Sequence, residues 1–172
     1  MIDGKKLKLR PIESKDIEVF RRWINDWEVC RGLLRYLPVT DFGHREWFKN
    51  IKKDRNQIYF AVEIKKSKKY IGNIGLRNIN WKDRNGDFFI YIGEKKYWGK
   101  GYGTEAAKIF IDYCFNSLNL HKVYLRVVEF NESAVKSYQK AGFKKEGVLK
   151  DEVFAGGSYF NIIRMAIINK NS

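Results

Sequence analysis

The sequence predicts an α/β fold whose elements follow the order β-αα-βββ-α-β-α-ββ. Three features predict it: short segments in which apolar and polar residues alternate, longer segments whose apolar residues recur at helical spacing, and glycine-containing turns between them. The chain has 172 residues, of which 44% are hydrophobic and 16% aromatic, so it can bury a sizeable core. We expect residues 1–172 to form one domain, because no linker or internal repeat interrupts them.

The N-terminal third reads as one strand followed by two helices. Residues 6–12 alternate as a strand, and a helix begins near Ser14. A break at residues 32–38 separates this helix from a second one, which Thr40 or Asp41 caps. The apolar residues of the first helix recur at spacings of three and four: Ile17, Phe20, Ile24 and Trp27.

Three strands follow the second helix. Residues 58–64 alternate as a strand, residues 65–69 form a polar turn, and residues 70–79 return as its partner. The dipeptide Asn85-Gly86 is a strong hairpin signal, because both residue types readily adopt the conformations that a two-residue turn requires. It leads into a third strand over residues 87–93.

A glycine loop joins that third strand to a helix. Gly99, Gly101 and Gly103 occupy alternate positions directly before apolar residues at helical spacing. Such a loop leaves unpaired backbone N–H groups at a helix N-terminus, where they bind a phosphate or pyrophosphate, and Lys100 adds a mobile positive charge. The loop has neither the Lys-Ser or Lys-Thr pair of nucleotide-hydrolysing loops nor the spacing of the dinucleotide fingerprint. Taken alone, it is equally well explained as a tight turn.

A second strand and helix follow further along the chain. Residues 123–128 read as a strand, and the helix after it begins at the N-cap residue Asn131 and ends at the C-cap residue Gly142. Residues 143–154 and 159–168 then read as two strands joined by a glycine turn.

These two segments resemble the acetyl-CoA-binding core of the GNAT superfamily of N-acetyltransferases. The family's first motif, Arg/Gln-x-x-Gly-x-Gly/Ala, corresponds to residues 98–103, in which Trp98 replaces the usual Arg or Gln. Its second motif, an Asn…Ser…Tyr-x-Lys-x-Gly-Phe helix, corresponds to residues 131–143. The sequence around Trp98, with Thr-Glu-Ala after the glycines, is similar to the branch that contains the Rim-type ribosomal-protein N-terminal acetyltransferases.

The resemblance implies a mixed, mostly antiparallel sheet flanked by helices, with two neighbouring strands splayed apart to admit the cofactor. It also implies direct transfer of an acetyl group from acetyl-CoA to a primary amine, without an acyl-enzyme. The pantetheine arm of the cofactor would pair with the backbone of Tyr91 and Ile92. Asn131 would bond the same arm, and Lys136 would approach the nucleotide. The backbone amides of the glycine loop would bind the pyrophosphate: Gly99, Lys100, Gly101, Tyr102, Gly103 and Thr104.

Acetyl transfer needs a neutral amine, stabilisation of the carbonyl oxygen and a proton for the departing thiolate. The resemblance implies that Tyr138 is the acid that protonates the thiolate; the alternative is a core tyrosine on the helical face of Ala134 and Val135. Asp87 is the candidate base, acting on the amine directly or through water, and the alternative is a turn aspartate that bonds the hairpin backbone. Two further carboxylates compete with Asp87 for this role: Glu63 and Glu129.

The chain carries a net charge of +14, and its lysines are spread along the sequence. Solvated faces account for most of this charge, and part of it would assist binding of the polyanionic coenzyme A. A basic nucleic-acid- or ribosome-binding module without enzymatic activity is the alternative from a different class. Cys30 and Cys114 lack metal-ligand spacing, so we expect no metal site. The lack of an apolar N-terminal or membrane-spanning segment favours a cytoplasmic protein.

The acceptor amine should bind between residues 27–42 and residues 153–159, as the resemblance implies. Most of residues 33–37 are apolar, and the charged residues among and near them are basic: Arg31 and Arg35. This is a poor lining for a polyamine, because several ammonium groups favour clustered carboxylates. We therefore rank a protein N-terminal amine ahead of a small amine such as an amino sugar, a polyamine or an antibiotic. The expected partner is this amine substrate; ribosome association and a homodimer are left open, and no membrane partner is expected.

Overall fold

The structure is a computed structural model that describes residues 1–33, 37–51 and 53–170. Within these residues, eight strands form one sheet, accompanied by five α-helices and two short 3-10 turns, Ser14–Asp16 and Lys95–Tyr97. The strands are β1 (Ile2–Asp3), β2 (Leu7–Pro11), β3 (Ile58–Ile64), β4 (Lys69–Asn80), β5 (Asn85–Ile92), β6 (Lys122–Val128), β7 (Lys144–Ala155) and β8 (Ser158–Ile168). The helices are α1 (Ile17–Ile24), α2 (Trp27–Arg31), α3 (Asp41–Ile51), α4 (Tyr102–Asn116) and α5 (Glu132–Ala141).

The sheet is mixed and mostly antiparallel. Its strands lie in the order β1-β2-β3-β4-β5-β6-β8-β7, and the pairing of β5 with β6 is parallel while the other neighbouring pairs are antiparallel. This arrangement confirms the predicted fold class. The strand and helix order also follows the prediction with two additions, a short strand, β1, before the first one predicted and a third helix where two were predicted.

The first predicted helix is divided into two. α1 ends at Ile24, and Asp26 then adopts an extended conformation with φ −83° and ψ 120°. The Asp26 carboxylate accepts hydrogen bonds from the backbone N–H groups of Glu28 and Val29, and so begins a new helix with its own cap. Trp27 therefore belongs to α2 and not to the apolar stripe of α1.

The turn between β4 and β5 lies earlier than predicted. Asn85 and Gly86 are the first residues of β5, and the turn occupies residues 81–84, with Arg84 at φ 54°. The Asn80 side chain accepts a hydrogen bond of 2.9 Å from the backbone N–H of Asp83, which closes the turn before Asn85 is reached. Gly86 instead pairs with Val123 of β6.

Helices cover both faces of the sheet. On one face, α4 buries Phe110 against strand residues that include Val62, and α5 packs beside it; we call this the α4–α5 face. On the other face, α1 buries Phe20 near Ala61, and α3 adds partly buried aromatic residues; we call this the α1–α3 face. Ala61 and Val62 are consecutive in β3, so their side chains point to opposite faces.

The parallel strands β5 and β6 separate along their length. They pair through three residues of β5, from Asn85 to Asp87, and the last pair is Asp87 with Tyr124. Beyond this pair β5 continues to Ile92 and β6 continues to Val128, yet the two have no further mutual register. A gap therefore opens between their C-terminal halves, which is the splay that the family resemblance implies.

Candidate active site

The backbone of β5 offers hydrogen-bonding groups to this gap. The N–H of Gly93 donates to the carbonyl of Ile71 at 2.8 Å, and the pairs of an antiparallel ladder alternate between bonded and non-bonded. The N–H and C=O of Tyr91 therefore point toward β4, whereas those of Ile90 and Ile92 point into the gap. The backbone groups of Ile92 thus face the gap, as a pantetheine contact requires. The backbone groups of Tyr91 do not, and those of Ile90 face the gap in their place.

The glycine loop forms an open cradle at the start of α4. Gly99 has φ 70° and Gly101 has φ 81°, both in the left-handed region that favours glycine. Gly101 is the N-cap of α4 and offers no side chain to the helix, and the backbone N–H of Glu105 is the first to bond back, at 3.0 Å to the Gly101 carbonyl. The N–H groups before Glu105 therefore have no intrahelical acceptor, so they suit a bound pyrophosphate.

No described atom lies within 4 Å of the positions that Cβ atoms would take at Gly99 and Gly101. Side chains there would project into this open space and obstruct an anion. Lys100, between them, is exposed, and its ammonium lies 5.9 Å from the ring centre of Tyr97. The loop thus fits the cofactor phosphates by shape and by charge.

The first turn of α4 connects the cradle to α5. The hydroxyl of Thr104 lies 2.8 Å from that of Ser137. Gly103 lies beside this hydroxyl pair. A Cβ at Gly103 would be 3.9 Å from the Ser137 hydroxyl and 4.0 Å from the Ile92 side chain. This contact holds α5, and Tyr138 with it, beside the end of β5.

Tyr138 is half-buried on the α4–α5 face. Its ring packs edge-on against Phe88 and Phe143, with centroid separations of 6.1 and 5.9 Å. Burial raises the pKa of the Tyr138 phenol to about 12, so the hydroxyl stays protonated across the ordinary pH range. The packing expected of a core tyrosine and the protonated hydroxyl expected of an acid are both present.

Asp87 lies inside β5, at the point where the gap opens, and it is only 4% exposed. Because the turn ends at residue 84, Asp87 is not a turn residue, which removes that alternative. Its side chain shares the α1–α3 face with Tyr91, so it lies on the opposite side of the sheet from Tyr138. Burial raises the pKa of the Asp87 carboxyl, an effect opposed by Arg77, Arg126 and Arg164.

The two competing carboxylates are engaged by neighbours. Glu63 is buried and accepts a hydrogen bond of 2.6 Å from Arg10, whose guanidinium also binds Asp16 at 2.7 and 2.9 Å. Glu129 is exposed and accepts hydrogen bonds from the backbone and side-chain nitrogens of Asn161, at 2.8 and 3.0 Å. Both carboxylates join structural elements, which makes Asp87 the better placed of the three to act as a base.

Asn131 and Lys136 lie on α5. The side-chain Oδ1 of Asn131 accepts a hydrogen bond of 3.3 Å from the backbone N–H of Ala134, as a helix cap does. Its amide nitrogen lies against Gly32, where a Cβ would approach it to 2.5 Å, so glycine leaves room for this side chain. Lys136 is exposed and forms an ion pair of 3.3 Å with Glu132 one turn earlier.

A cleft of about 950 Å³ lies between α2, the end of β6 and the β7–β8 hairpin. This is where the acceptor site was expected, although residues 34–36 of the first predicted segment lie outside the described residues. Its charged side chains are Glu152 and Arg31, and the Arg31 guanidinium lies 5.0 Å from the ring centre of Phe130. The cleft is lined by Trp27, Cys30, Arg31, Phe130, Glu152, Val153, Phe154, Ala155, Gly156 and Phe160.

An ion-pair cluster ties this cleft to the cradle. The ammonium of Lys95, just before the glycine loop, bonds the Asp26 carboxylate at 2.9 Å and also pairs with Glu28. Asp26 caps α2, and Trp27, the first residue of α2, lines the cleft. The acceptor side and the cofactor side are therefore mechanically connected.

Three functional candidates were missed by the sequence reasoning. Strand alternation shows that the backbone groups of Ile90 and Ile92 point one way and those of Tyr91 the other, but only the pairing of β4 with β5 decides which direction is the gap. Glu152 lies one residue before the predicted hairpin segment, and Phe130 lies between two predicted elements. Nothing in the sequence near Glu152 or Phe130 shows that they face α2, because that contact joins residues distant along the chain.

Two features, a metal-binding cluster and a membrane-spanning helix, are absent from the residues that the structure describes. Its residues contain no group of three or more His, Cys, Asp or Glu side chains placed to hold a metal ion. None of the helices in residues 1–33, 37–51 and 53–170 is long and apolar enough to span a membrane.

Comparison with known proteins identifies the family. A family model described as acetyltransferase (GNAT) domain matches residues 6–144. The spermidine N(1)-acetyltransferase of Escherichia coli K12 is 37% identical, over 97% of this chain and 88% of that protein. The corresponding Vibrio cholerae enzyme is 34% identical, over 95% of this chain and 93% of that one. The crystal structure of the Vibrio cholerae spermidine N-acetyltransferase in complex with CoA and spermine superposes with a TM-score of 0.86, at 33% identity and 95% coverage of both chains.

These relatives correct the expectation of a Rim-type branch, because the similarity is to spermidine N-acetyltransferases and not to ribosomal-protein acetyltransferases. The Tyr-Trp-Gly-Lys-Gly-Tyr segment that suggested the branch belongs to the cofactor loop and carries no information on the acceptor. The superfamily and the cofactor, in contrast, are confirmed. The splayed strands, the glycine cradle and the match over residues 6–144 lead to one conclusion: this chain belongs to the GNAT acetyltransferase family and is an acetyl-CoA-dependent N-acetyltransferase.

Proposed function

We propose that this enzyme acetylates a polyamine of the spermidine type on a primary amine. The observation that carries the proposal is the similarity to two spermidine N-acetyltransferases over 95 to 97% of the chain, which includes both walls of the acceptor cleft. It reverses the order of the two acceptors predicted from the sequence, since a small amine now ranks ahead of a protein N-terminus.

The cleft suits a flexible chain that carries separated positive charges. Trp27, Phe154 and Phe160 offer aromatic surface to methylene groups and ammonium groups. Glu152 offers a carboxylate for an ammonium group, while the positive charge of Arg31 disfavours one nearby. We therefore assign the ammonium position in the cleft to Glu152. The carboxylate that the apolar segment 33–37 lacks comes from a strand distant in sequence.

In the proposed mechanism, Asp87 accepts a proton from an ammonium group of the polyamine, directly or through water, and so produces the neutral amine that attacks. A carboxylate in water is a weak base for an amine, but burial raises the pKa of Asp87 and so strengthens it as a base. Acetyl-CoA supplies the acetyl group as a thioester. The amine nitrogen forms the new bond to the acetyl carbon, and the bond from that carbon to sulfur breaks. The nitrogen then releases its surplus proton to solvent, and solvent returns to Tyr138 the proton that it gives to sulfur.

Tyr138 donates its hydroxyl proton toward the departing sulfur from the opposite face of the gap. A phenol with a pKa of about 12 is a weak acid. Burial beside it also raises the pKa of a thiol, so the pKa values of the phenol and the thiol lie closer together than in water. The amides of Gly101–Thr104 hold the pyrophosphate, and the N–H of Ile92 with the backbone groups of Ile90 holds the pantetheine arm. The family's direct transfer needs no acyl-enzyme, and both cysteines are buried.

A panel of amines with thiol release as the readout tests the proposal. Spermidine and spermine are expected to give a higher kcat/KM than an amino sugar or a peptide with a free N-terminus. Glu152→Gln is expected to raise the KM for spermidine about tenfold, since it removes one charge-assisted contact. The matched control is Glu18→Gln, a change at an exposed residue of α1 that pairs with Arg21 and lies outside the cleft. A peptide preferred over spermidine would overturn the polyamine assignment, and equal effects of the two variants would overturn the role of Glu152.

A further inference from the structure

The residue that departs from the family's first motif makes a specific contact with the cofactor gap. Trp98 stands where the motif has Arg or Gln, and its indole N–H donates a hydrogen bond of 2.6 Å to the carbonyl oxygen of Ile92. That carbonyl is the last one on β5 that points into the gap. The ring therefore spans from the glycine loop to the end of the splayed strand.

The residues that flank the glycine loop are held by packing, since the rings of Tyr97 and Tyr102 meet edge-on at 5.6 Å, but the glycines between them have no side chains to anchor. Its distal end is held by α4, whose first turn contacts α5 through Thr104 and Ser137. Within the loop, Gly99 and Gly101 have open space around their Cβ positions, and Lys100 is exposed. Two glycines at positive φ are costly to hold in one conformation, because glycine loses more backbone freedom on ordering than other residues do.

The proximal end of the loop is held at Trp98. Its backbone N–H donates to the Lys95 carbonyl at 2.9 Å, and its side chain reaches Ile92 on β5. Trp98 itself is extended, with φ −65° and ψ 151°, so the chain turns into the left-handed conformation at the very next residue. The hydrogen bond to Ile92 is thus placed to determine where the cradle begins.

We propose that Trp98 is a positioning residue of the cofactor site, which fixes the pyrophosphate cradle to β5 through the Ile92 carbonyl. It acts through Ile92 and the loop backbone, without a direct role in the chemistry. The indole N–H provides a hydrogen-bond donor at the motif position that usually carries Arg or Gln. Because this contact uses the Ile92 carbonyl, the pantetheine arm is left with the N–H of Ile92 and both groups of Ile90. This inference concerns cofactor binding and does not depend on the identity of the acceptor.

Trp98→Phe is the test, because it keeps an aromatic ring and removes the donor. CoA affinity, measured by calorimetry, is expected to fall about 3- to 10-fold, the usual net effect of one hydrogen bond. Trp98→Gln restores a donor and is expected to bind CoA within about twofold of the unmodified enzyme. Trp81→Phe is the matched control, because Trp81 has similar exposure, 45% against 42%, and donates to the Arg55 carbonyl outside the gap.

Pantetheine, which lacks the pyrophosphate, separates positioning of the cradle from contact with the arm. Its affinity is expected to be the same in Trp98→Phe and in the unmodified enzyme. Tighter pantetheine binding by Trp98→Phe would show that the indole competes with the arm, which overturns the proposal. Equal loss of CoA affinity in the Phe and Gln variants would also overturn it, since a hydrogen-bond donor at this position would then not be sufficient to hold the cradle. So would an unchanged CoA affinity in Trp98→Phe.

Discussion

Removal of the Tyr138 hydroxyl separates the chemical role of this residue from its packing role. Tyr138→Phe keeps the ring that packs against Phe88 and Phe143, so we expect the free energy of unfolding to change by less than about 1 kcal/mol. A general acid is worth about 10²- to 10⁴-fold in rate. The variant should therefore lose about 3 to 5 kcal/mol of transition-state stabilisation while its CoA affinity stays the same.

The pH dependence follows from the pKa of Tyr138. Burial raises this pKa from 10.0 to about 12, so the acid form is present at all lower pH values and is lost as pH rises through about 12. At pH 10 an unperturbed phenol is half ionised, whereas one with a pKa of about 12 is roughly 1% ionised. Turnover of the unmodified enzyme should thus show no fall near pH 10 that is due to Tyr138.

Steady-state thiol release between pH 7 and 10.5, with calorimetry for CoA and a thermal melt, measures all three quantities. Unchanged turnover in Tyr138→Phe at unchanged stability would refute the acid role, because water or another group would then protonate the thiolate. A melting temperature lowered by several degrees, with turnover preserved below it, would identify Tyr138 as a core residue alone.

Three further predictions concern the cradle, the base, and the ion pairs that connect the cradle to the acceptor cleft. Gly101→Glu places a negative charge in the cradle and should abolish measurable CoA binding by calorimetry, whereas Gly157→Glu, with a similar φ of 86° at the hairpin, should bind CoA normally. Asp87→Asn removes a carboxylate whose pKa is raised by burial. We expect kcat/KM to fall at least about 100-fold and to lose its rise with pH through that pKa. If the variant keeps this pH dependence, another group is the base. Lys95→Gln breaks the ion pairs with Asp26 and Glu28. We expect the KM values of acetyl-CoA and of the amine to rise a few-fold in low salt, and the difference from the unmodified enzyme to shrink in high salt. A change in the melting temperature alone would contradict a link between the cradle and the cleft.

Local signals were sufficient for most of the elements and for the cofactor loop. The α5 helix runs between its predicted caps, because Asn131 accepts a bond from Ala134 and Gly142 adopts φ 107°. The glycine cradle has the predicted strand–loop–helix context, since positive φ at Gly99 and Gly101 is a property of the residue type. Such features depend on residues close together in sequence, so periodicity and capping rules predict them.

The division of the first helix shows where local rules compete with one another. Ile17, Phe20, Ile24 and Trp27 fit one helical stripe, yet the side chain of Asp26 bonds the backbone two and three residues ahead and starts a second helix. Periodicity predicted one helix because it counts apolar positions, and it gives no weight to a capping side chain between them.

The sequence by itself determined the order of elements, the caps of α5 and the glycine cradle, all of which arise from contacts between near neighbours. Tertiary structure alone decided which groups meet at the gap. The pairing of β4 with β5 turns Ile90, and not Tyr91, toward the cofactor, and the β7–β8 hairpin brings Glu152 opposite α2. These placements depend on strand register and on the packing of segments more than a hundred residues apart, and neither leaves a periodic trace in the chain.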